Sequence, residues 1–282
     1  MRVLVTGAKG QLGHDVLKAL QKNRHTGIGV DIDELDITKA EDVRRVIGEA
    51  KVDAVIHCAA YTAVDAAEEN KELCIRVNAD GTRYIAEVCQ DLNLKMFYIS
   101  TDYVFDGAGE RPWEPEDERH PLNVYGESKY LGELAVEELL EKYFIVRISW
   151  VFGENGNNFV KTMLRLAETR DELNVVDDQI GSPTFTADLA ILLVEMIESD
   201  CYGHYHATNE GLCSWYEFAV EIFRQTNREI KVNPVSSEMF PVKAKRPHNS
   251  RMNKGKLVEN GFSILPSWQD ALERYLGVVA EK

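Results

Sequence analysis

Cations are in short supply in this sequence. Thirty-two Lys and Arg face 47 Asp and Glu, a formal net charge of −15. A surface of that sign repels nucleic acid and anionic membranes, so neither is an expected partner. Cysteine pairs are missing too. Cys58, Cys74, Cys89, Cys201 and Cys213 are odd in number and form no C-x-x-C. That excludes a disulfide framework or a zinc site and leaves reduced thiols serving as small core residues. No apolar run approaches membrane-spanning length, because charged and polar residues interrupt every one. The opening MRVLVTGAKGQLG carries one Arg and a short apolar run that ends in a glycine-rich loop. It reads as a structural element and not as a secretion signal, and the protein is expected in the cytoplasm.

What is present is rhythm. Over the first 150 residues or so, the runs 3–7, 26–31, 53–60, 95–100 and 144–152 are nearly continuous in apolar residues and are separated by helix-length segments. Strands without polar alternation are buried on both faces, which predicts a parallel sheet with right-handed crossovers. The expected class is α/β, a doubly wound Rossmann sheet over residues 1–152. After Phe152 the rhythm loosens. Helices are predicted near 158–171, 186–199 and 214–226, with short strands at 173–176, 203–206 and 230–234 and a last helix from Ser267. Residues 153–282 are therefore expected to be mainly a smaller α/β substrate-binding lobe, from which the chain crosses back to the sheet.

VLVTGAKGQLGHDVLKAL carries Gly7, Gly10 and Gly13 between a strand and an amphipathic helix. In that setting Gly7 permits a tight turn, Gly10 lets backbone approach a pyrophosphate, and Gly13 lets the helix seat close to the sheet. The helix N-terminus attracts the phosphate charge. Asp31 ends the second run at the distance expected for a carboxylate that binds the adenosine ribose. That carboxylate would repel a 2′-phosphate, and no Arg or Lys lies between Asp31 and Lys39 to receive one. NADH is thus favoured, with NADPH possible. Asp36 is placed to approach the adenine. Ser100, Thr101 and Asp102 stand at the carboxyl end of the fourth run, where such sheets bind ligands.

VYGESKYLGE sets Tyr125 four positions before Lys129, about one helical turn, so both side chains share a face. The pattern alone equally describes a solvated helix face. Together with the glycine loop and the strand-end Thr it resembles the extended short-chain dehydrogenase/reductase family. The segments GQLG, AAYTAVDAAE, STDYVFDG, PLNVYGESK, RISWVFG, NNFVKTMLRLA, DDQIGSPT and RPHNSRMN narrow the resemblance to the dTDP-4-dehydrorhamnose reductases. They span the chain from the first strand to about residue 253.

The resemblance implies reduction of the 4-keto group of dTDP-4-dehydro-L-rhamnose to dTDP-L-rhamnose, an NAD(P)H-dependent step. Tyr125 would be the proton donor, with its pKa lowered by Lys129, and Thr101 would steady the same oxygen. Lys129 would also hold the nicotinamide ribose. Gly10, Gln11 and Leu12 would meet the pyrophosphate, and Asp31, Asp36 and Ile37 the adenosine. Ala60, Tyr61, Thr62 and Ile99 would lie towards the nicotinamide. Thr101, Asp102, Trp150 and Val64 would contact the deoxysugar. On composition, Trp150 would equally serve as a core aromatic. Arg246, in the basic loop KAKRPHNSR, is the first choice for a substrate phosphate, although the loop reads as readily as solvated surface.

Some enzymes of the family dimerise around magnesium held by glutamates. This chain has Asp15 and Ala187 where acids of that set would stand, which argues against a metal; monomer and homodimer both remain open. Two rival readings share parts of this pattern. A nucleotide-sugar epimerase or dehydratase would share the fold, but dehydratases follow the Thr with Asp-Glu, whereas Tyr103 follows Asp102 here. A non-catalytic dinucleotide-binding regulatory subunit would have no need of Tyr125 and Lys129.

Overall fold

The computed structural model describes residues 1–280. Six parallel strands form the central sheet: β1 (Arg2–Thr6), β2 (Thr26–Val30), β3 (Ala54–His57), β4 (Lys95–Thr101), β5 (Tyr143–Ile148) and β6 (Gly203–His206), in the order β6-β5-β4-β3-β1-β2. Successive strand residues face opposite cores. Val3 and Val5 pack with helix α1 (Gln11–Lys22) and helix α5 (Thr186–Ile197). Leu4 packs on the other side, with α2 (Ala40–Ala50), α3 (Gly81–Asp91) and α4 (Val124–Leu139). Both faces are covered, which is why the strand sequences are apolar without alternation.

The order reverses between β1 and β3, and the crevice beyond their carboxyl ends is where such sheets receive ligands. Residues 186–206 return to the sheet, since α5 packs on α1 and β6 pairs with β5. The expected run 144–152 is not one strand. It breaks after Ile148 at Trp150, whose φ is +50°, and Val151–Phe152 then pairs with Thr184–Phe185. The remaining lobe is built on the helices Phe159–Leu166, Trp215–Gln225 and Trp268–Ala280 and the parallel pair Glu172–Val176 and Lys231–Val235. Its core is aromatic, with the Phe152 ring in contact with those of Phe185, Phe218 and Tyr275. The helix expected over 158–171 ends at Leu166.

Helix α4 starts where Asn123 caps it, its side-chain oxygen accepting from the Gly126 amide at 2.8 Å. It lies unusually near its neighbours. A β-carbon on Gly126 would stand 2.2 Å from the Tyr103 carbonyl, and one on Gly132 would stand 2.2 Å from the Tyr98 hydroxyl. Behind it sits a charged knot. Glu133 accepts from Arg147 Nε and Nη2, both at 2.8 Å, and from Arg119 Nη1 at 2.9 Å, while Arg147 also donates to the Pro115 carbonyl at 2.7 Å. Glu133 and Arg147 are fully buried. Although burial opposes ionisation, the Arg147 and Arg119 guanidiniums hold the Glu133 carboxyl below its usual range.

Removing one member of such a pair strands the other charge in the interior. Glu133→Gln is expected to lower unfolding stability by about 3–5 kcal/mol in urea titrations. A depressed carboxylate stabilises the fold above its ordinary pKa and loses that contribution as pH falls through the depressed one. Wild type should therefore lose stability in acid more steeply than the variant does. A variant as stable as wild type would show that the knot contributes nothing.

Candidate active site

A cleft of about 770 Å³ runs along the carboxyl ends of β1 to β5. At one end the glycine loop lines it. Gly7 has φ +65°, and a β-carbon there would lie 2.8 Å from the Ala59 amide nitrogen. Gly13 sits behind the loop, where a β-carbon would come within 2.2 Å of the Gly7 carbonyl oxygen. Helix α1 starts at Gln11 with no side chain capping it, so its first amides are available to an anion. Asp31 ends this side of the cleft, its carboxylate accepting from the Lys9 and Ile32 amides at 2.9 Å each. Asp36 and Ile37 line the cleft next to it, and hydrogen bonds from Thr38 hold the Asp36 carboxyl below its ordinary range. A glycine cradle, a free helix end and a strand-end carboxylate fit a dinucleotide.

At the other end Tyr125, Lys129, Thr101 and Asp102 line the same cleft. Thr101 donates to Asp102 Oδ1 at 3.0 Å and accepts from the Tyr103 amide at 3.3 Å. Ser250 donates to the other carboxylate oxygen of Asp102 at 2.5 Å. Lys129 Nζ stands 4.0 Å above the centre of the Tyr98 ring. Burial pushes the Asp102 carboxyl up to about 6 and the Lys129 ammonium down to about 7, with Glu133 opposing the latter. The phenol departs from the sequence-based expectation. Burial raises the Tyr125 pKa above its ordinary value, and Thr101, not Lys129, is the group that opposes the rise.

Ala60, Thr62, Ile99, Val64 and Trp150 also line the cleft. Trp150 stacks on Trp215 with ring centres 3.8 Å apart. Its left-handed backbone is a costly conformation for a bulky residue, and such strain collects at functional positions. Gly13, Tyr61 and Arg246 lie outside the lining. The backbone of Tyr61 is gripped by the Asn78 side chain, with its N–H donating to Asn78 Oδ1 at 2.7 Å and its carbonyl accepting from Nδ2 at 3.0 Å. The Arg246 guanidinium pairs with Asp65 at 2.7 Å.

A family model for the RmlD substrate binding domain matches residues 1–280. The chain belongs to the RmlD family. The dTDP-4-dehydrorhamnose reductase of Aggregatibacter actinomycetemcomitans is 43% identical to it, over 96% of this chain and 97% of that protein. The crystal structure of a dTDP-4-dehydrorhamnose reductase from Clostridium acetobutylicum matches it with a TM-score of 0.97 at 43% identity, covering 99% of this chain and all of that one. The Bacillus anthracis dTDP-4-dehydrorhamnose reductase, solved in complex with NADP, matches with a TM-score of 0.95 at 46% identity, covering 100% of this chain and 99% of that one. This RmlD-family chain is an NAD(P)-dependent oxidoreductase, and its cofactor is a nicotinamide dinucleotide.

Several residues of the RmlD-family site escaped the sequence reading. Tyr103 lines the cleft and meets Tyr125 edge-on at 5.6 Å. Asn78, in a π-helical stretch at Arg76–Asp80, also holds Ser128 at 2.9 Å and so ties the loop after β3 to α4. Its only signal in sequence was a buried-looking polar residue in a helix. Among the described residues, His14, Asp15 and Glu154 form one group close enough to share a metal ion. There Asp15 accepts from Thr186 Oγ1 at 2.5 Å, and Lys18 Nζ stands 2.5 Å from Glu154. Asp188 is engaged by Arg274 at 2.6 and 2.8 Å. No helix among the described residues is long and apolar enough to cross a membrane.

Gly13→Ala tests the cradle. The added methyl must displace the Gly7 carbonyl, so cofactor affinity should fall at least tenfold, a loss of about 1.4 kcal/mol, in a fluorescence titration with NADH. Unchanged affinity would show that the loop does not contact the dinucleotide.

Proposed function

We propose that this enzyme reduces the 4-keto group of dTDP-4-dehydro-L-rhamnose to dTDP-L-rhamnose, using NADH or NADPH. The observation that carries this reading is the convergence of Tyr125, Lys129 and Thr101 on the cleft that the glycine loop and Asp31 also line. The named relatives support the choice of substrate. When bound, the nicotinamide supplies the hydride that reduces the carbonyl carbon.

The chain's own groups handle the oxygen and its proton. The Tyr125 hydroxyl donates a proton to the substrate oxygen as negative charge develops there. The Thr101 hydroxyl, turning from Asp102 Oδ1, donates a hydrogen bond to the same oxygen, a contact worth most when the charge is greatest. Lys129, when protonated, favours the phenolate left on Tyr125 and holds the nicotinamide ribose. Asp102, fixed by Ser250, and Trp150, braced by Trp215, shape the sugar side, with Val64 opposite. Arg246, paired with Asp65, is the cation assigned to a substrate phosphate, which it would meet by exchanging that partner.

The direct test is loss of reduced-nicotinamide absorbance with purified dTDP-4-dehydro-L-rhamnose and either cofactor. Oxidation is expected with both, with NADH at least as effective, and none with either would sink the substrate assignment. Tyr125→Phe should lower kcat by about 10²–10⁴-fold while leaving NADH affinity nearly unchanged. Full activity in that variant would remove the phenol from the mechanism.

Lys129 sets the pH dependence. Its ammonium is charged below about 7 and neutral above, so kcat/KM should decline as pH rises through that value. Its folded pKa lies below the ordinary 10.5, so between about 7 and 10.5 the unfolded chain holds a proton that the folded one lacks. This group therefore makes the fold more stable as pH rises across that window. Lys129→Met should accordingly abolish turnover while unfolding at no lower urea concentration than wild type. A large drop in its unfolding midpoint would show that the lysine is structural.

A further inference from the structure

We propose that Ser250 is a positioning residue that frees the Thr101 hydroxyl for the substrate. It engages one oxygen of the Asp102 carboxyl, so that a proton taken up by that group sits on the other oxygen, beside Thr101. The inference rests on the reduction proposed above and supplies what that reading needs, because the Thr101 hydroxyl is already committed. It has one hydrogen, and Asp102 Oδ1 holds it at 3.0 Å. While Asp102 is a carboxylate, which only accepts, Thr101 must give up a charge-assisted bond to serve the substrate oxygen.

A proton on Oδ1 reverses that bond. The carboxyl then donates to Thr101 Oγ1, which also accepts from the Tyr103 amide at 3.3 Å. Both lone pairs of the threonine oxygen are filled, and its hydrogen is left for the cleft. A proton on Oδ2 would not do this, because Oδ1 would remain an acceptor. Ser250 opposes that alternative. It is buried, and its hydroxyl donates to Oδ2 at 2.5 Å and has no other hydrogen-bond partner among the described residues. Were Oδ2 to carry the proton, Ser250 would have to accept it, and its own hydrogen would be stranded in the interior.

Ser250 is fixed through its backbone. Its amide donates to the Ile180 carbonyl at 2.8 Å, and the Asn249 amide donates to the Gly107 carbonyl at 3.0 Å. It lies outside the lining of the cleft, so it acts through Asp102. Asp102 has no ion-pair partner among the described residues, and its side-chain partners are the two hydroxyls. Tyr103, beside it in the chain, and Tyr125, from α4, feel its charge. Arg246, which bears on Tyr103, is bound to Asp65. Burial raises the Asp102 carboxyl to about 6 while both hydroxyls oppose the rise, so the group changes state near neutrality. An anionic substrate entering the cleft favours the neutral form further.

The test is steady-state reduction of dTDP-4-dehydro-L-rhamnose by NADH as a function of pH, for wild type, Ser250→Ala, Thr101→Val and the double variant. Ser250→Ala should lower kcat about tenfold, with KM for the nucleotide sugar within about threefold. Its NADH affinity should match wild type and so report the fold. Because Ser250 acts through Thr101, the same change in the Thr101→Val background should cost less than about twofold. Wild-type kcat/KM should fall as pH rises through about 6, ahead of the Lys129 limb, and Thr101→Val should lack that first fall. Wild-type kcat in Ser250→Ala overturns the proposal. So does an equal loss in both backgrounds, the mark of a merely structural serine. Should Ser250→Ala not fold, pH profiles of the same shape in wild type and Thr101→Val overturn it on their own. No turnover in wild type would take down the proposed reaction and this inference together, whereas the other failures leave the reaction standing.

Discussion

The site depends on how closely helix α4 lies against β4 and the π-helical segment. Gly126 and Gly132 bring it to a distance at which any β-carbon would overlap the Tyr103 carbonyl or the Tyr98 hydroxyl. Only from that seat do Tyr125 and Lys129 reach the end of β4, where Thr101 waits. The contact is reinforced by polar groups, since Tyr98 donates to the carbonyls of Asn78 and Lys129 at 3.3 and 3.2 Å. Cap, glycines and shared carbonyls hold the helix in one register, so the geometry of the proposed proton donor is fixed before any ligand arrives. This is the preorganisation that gives a donor its effect.

Burial at that seat has an electrostatic consequence. The Asp102 carboxyl and the Tyr125 phenol move up and the Lys129 ammonium moves down, so each of the three shifts towards its neutral form. One turn further along α4 the opposite solution appears. Glu133 stays ionised because two guanidiniums repay its lost hydration. The same helix thus carries a charge that is fully paired and a lysine that is not. Groups left without a matching partner in a cleft are those whose charge can change during a reaction, which separates the working residues from the scaffold.

Much of this was legible in the sequence. The strand runs declared themselves because both faces of the sheet are covered, and the glycine loop and Tyr125–Lys129 because their chemistry depends on short-range spacing. What was not legible is what the fold brings together from afar. Arg246 lies 181 residues from Asp65, its ion-pair partner, and nothing in KAKRPHNSR announces that its charge is already met. Trp150 reads as core until its backbone and its stack on Trp215 are seen. The balance of effects on Tyr125 was illegible for a related reason. Spacing shows that a cation is near, but not that desolvation of the phenol outweighs it.

The two halves of the cleft are assembled by different rules, and that difference bears on how such a scaffold can change its substrate. The dinucleotide half comes from β1, α1 and β2, consecutive in sequence and joined by backbone contacts such as the Ala8 amide to the Val30 carbonyl at 3.2 Å. The sugar half draws on segments far apart, with Asp102 pinned by Ser250 148 residues away and Trp150 braced by a helix of the lobe. A change in the first half alters a continuous turn on which the sheet itself depends. A change in the second replaces one side-chain contact between elements whose own hydrogen bonds are complete. Substrate range should therefore drift more readily than cofactor class.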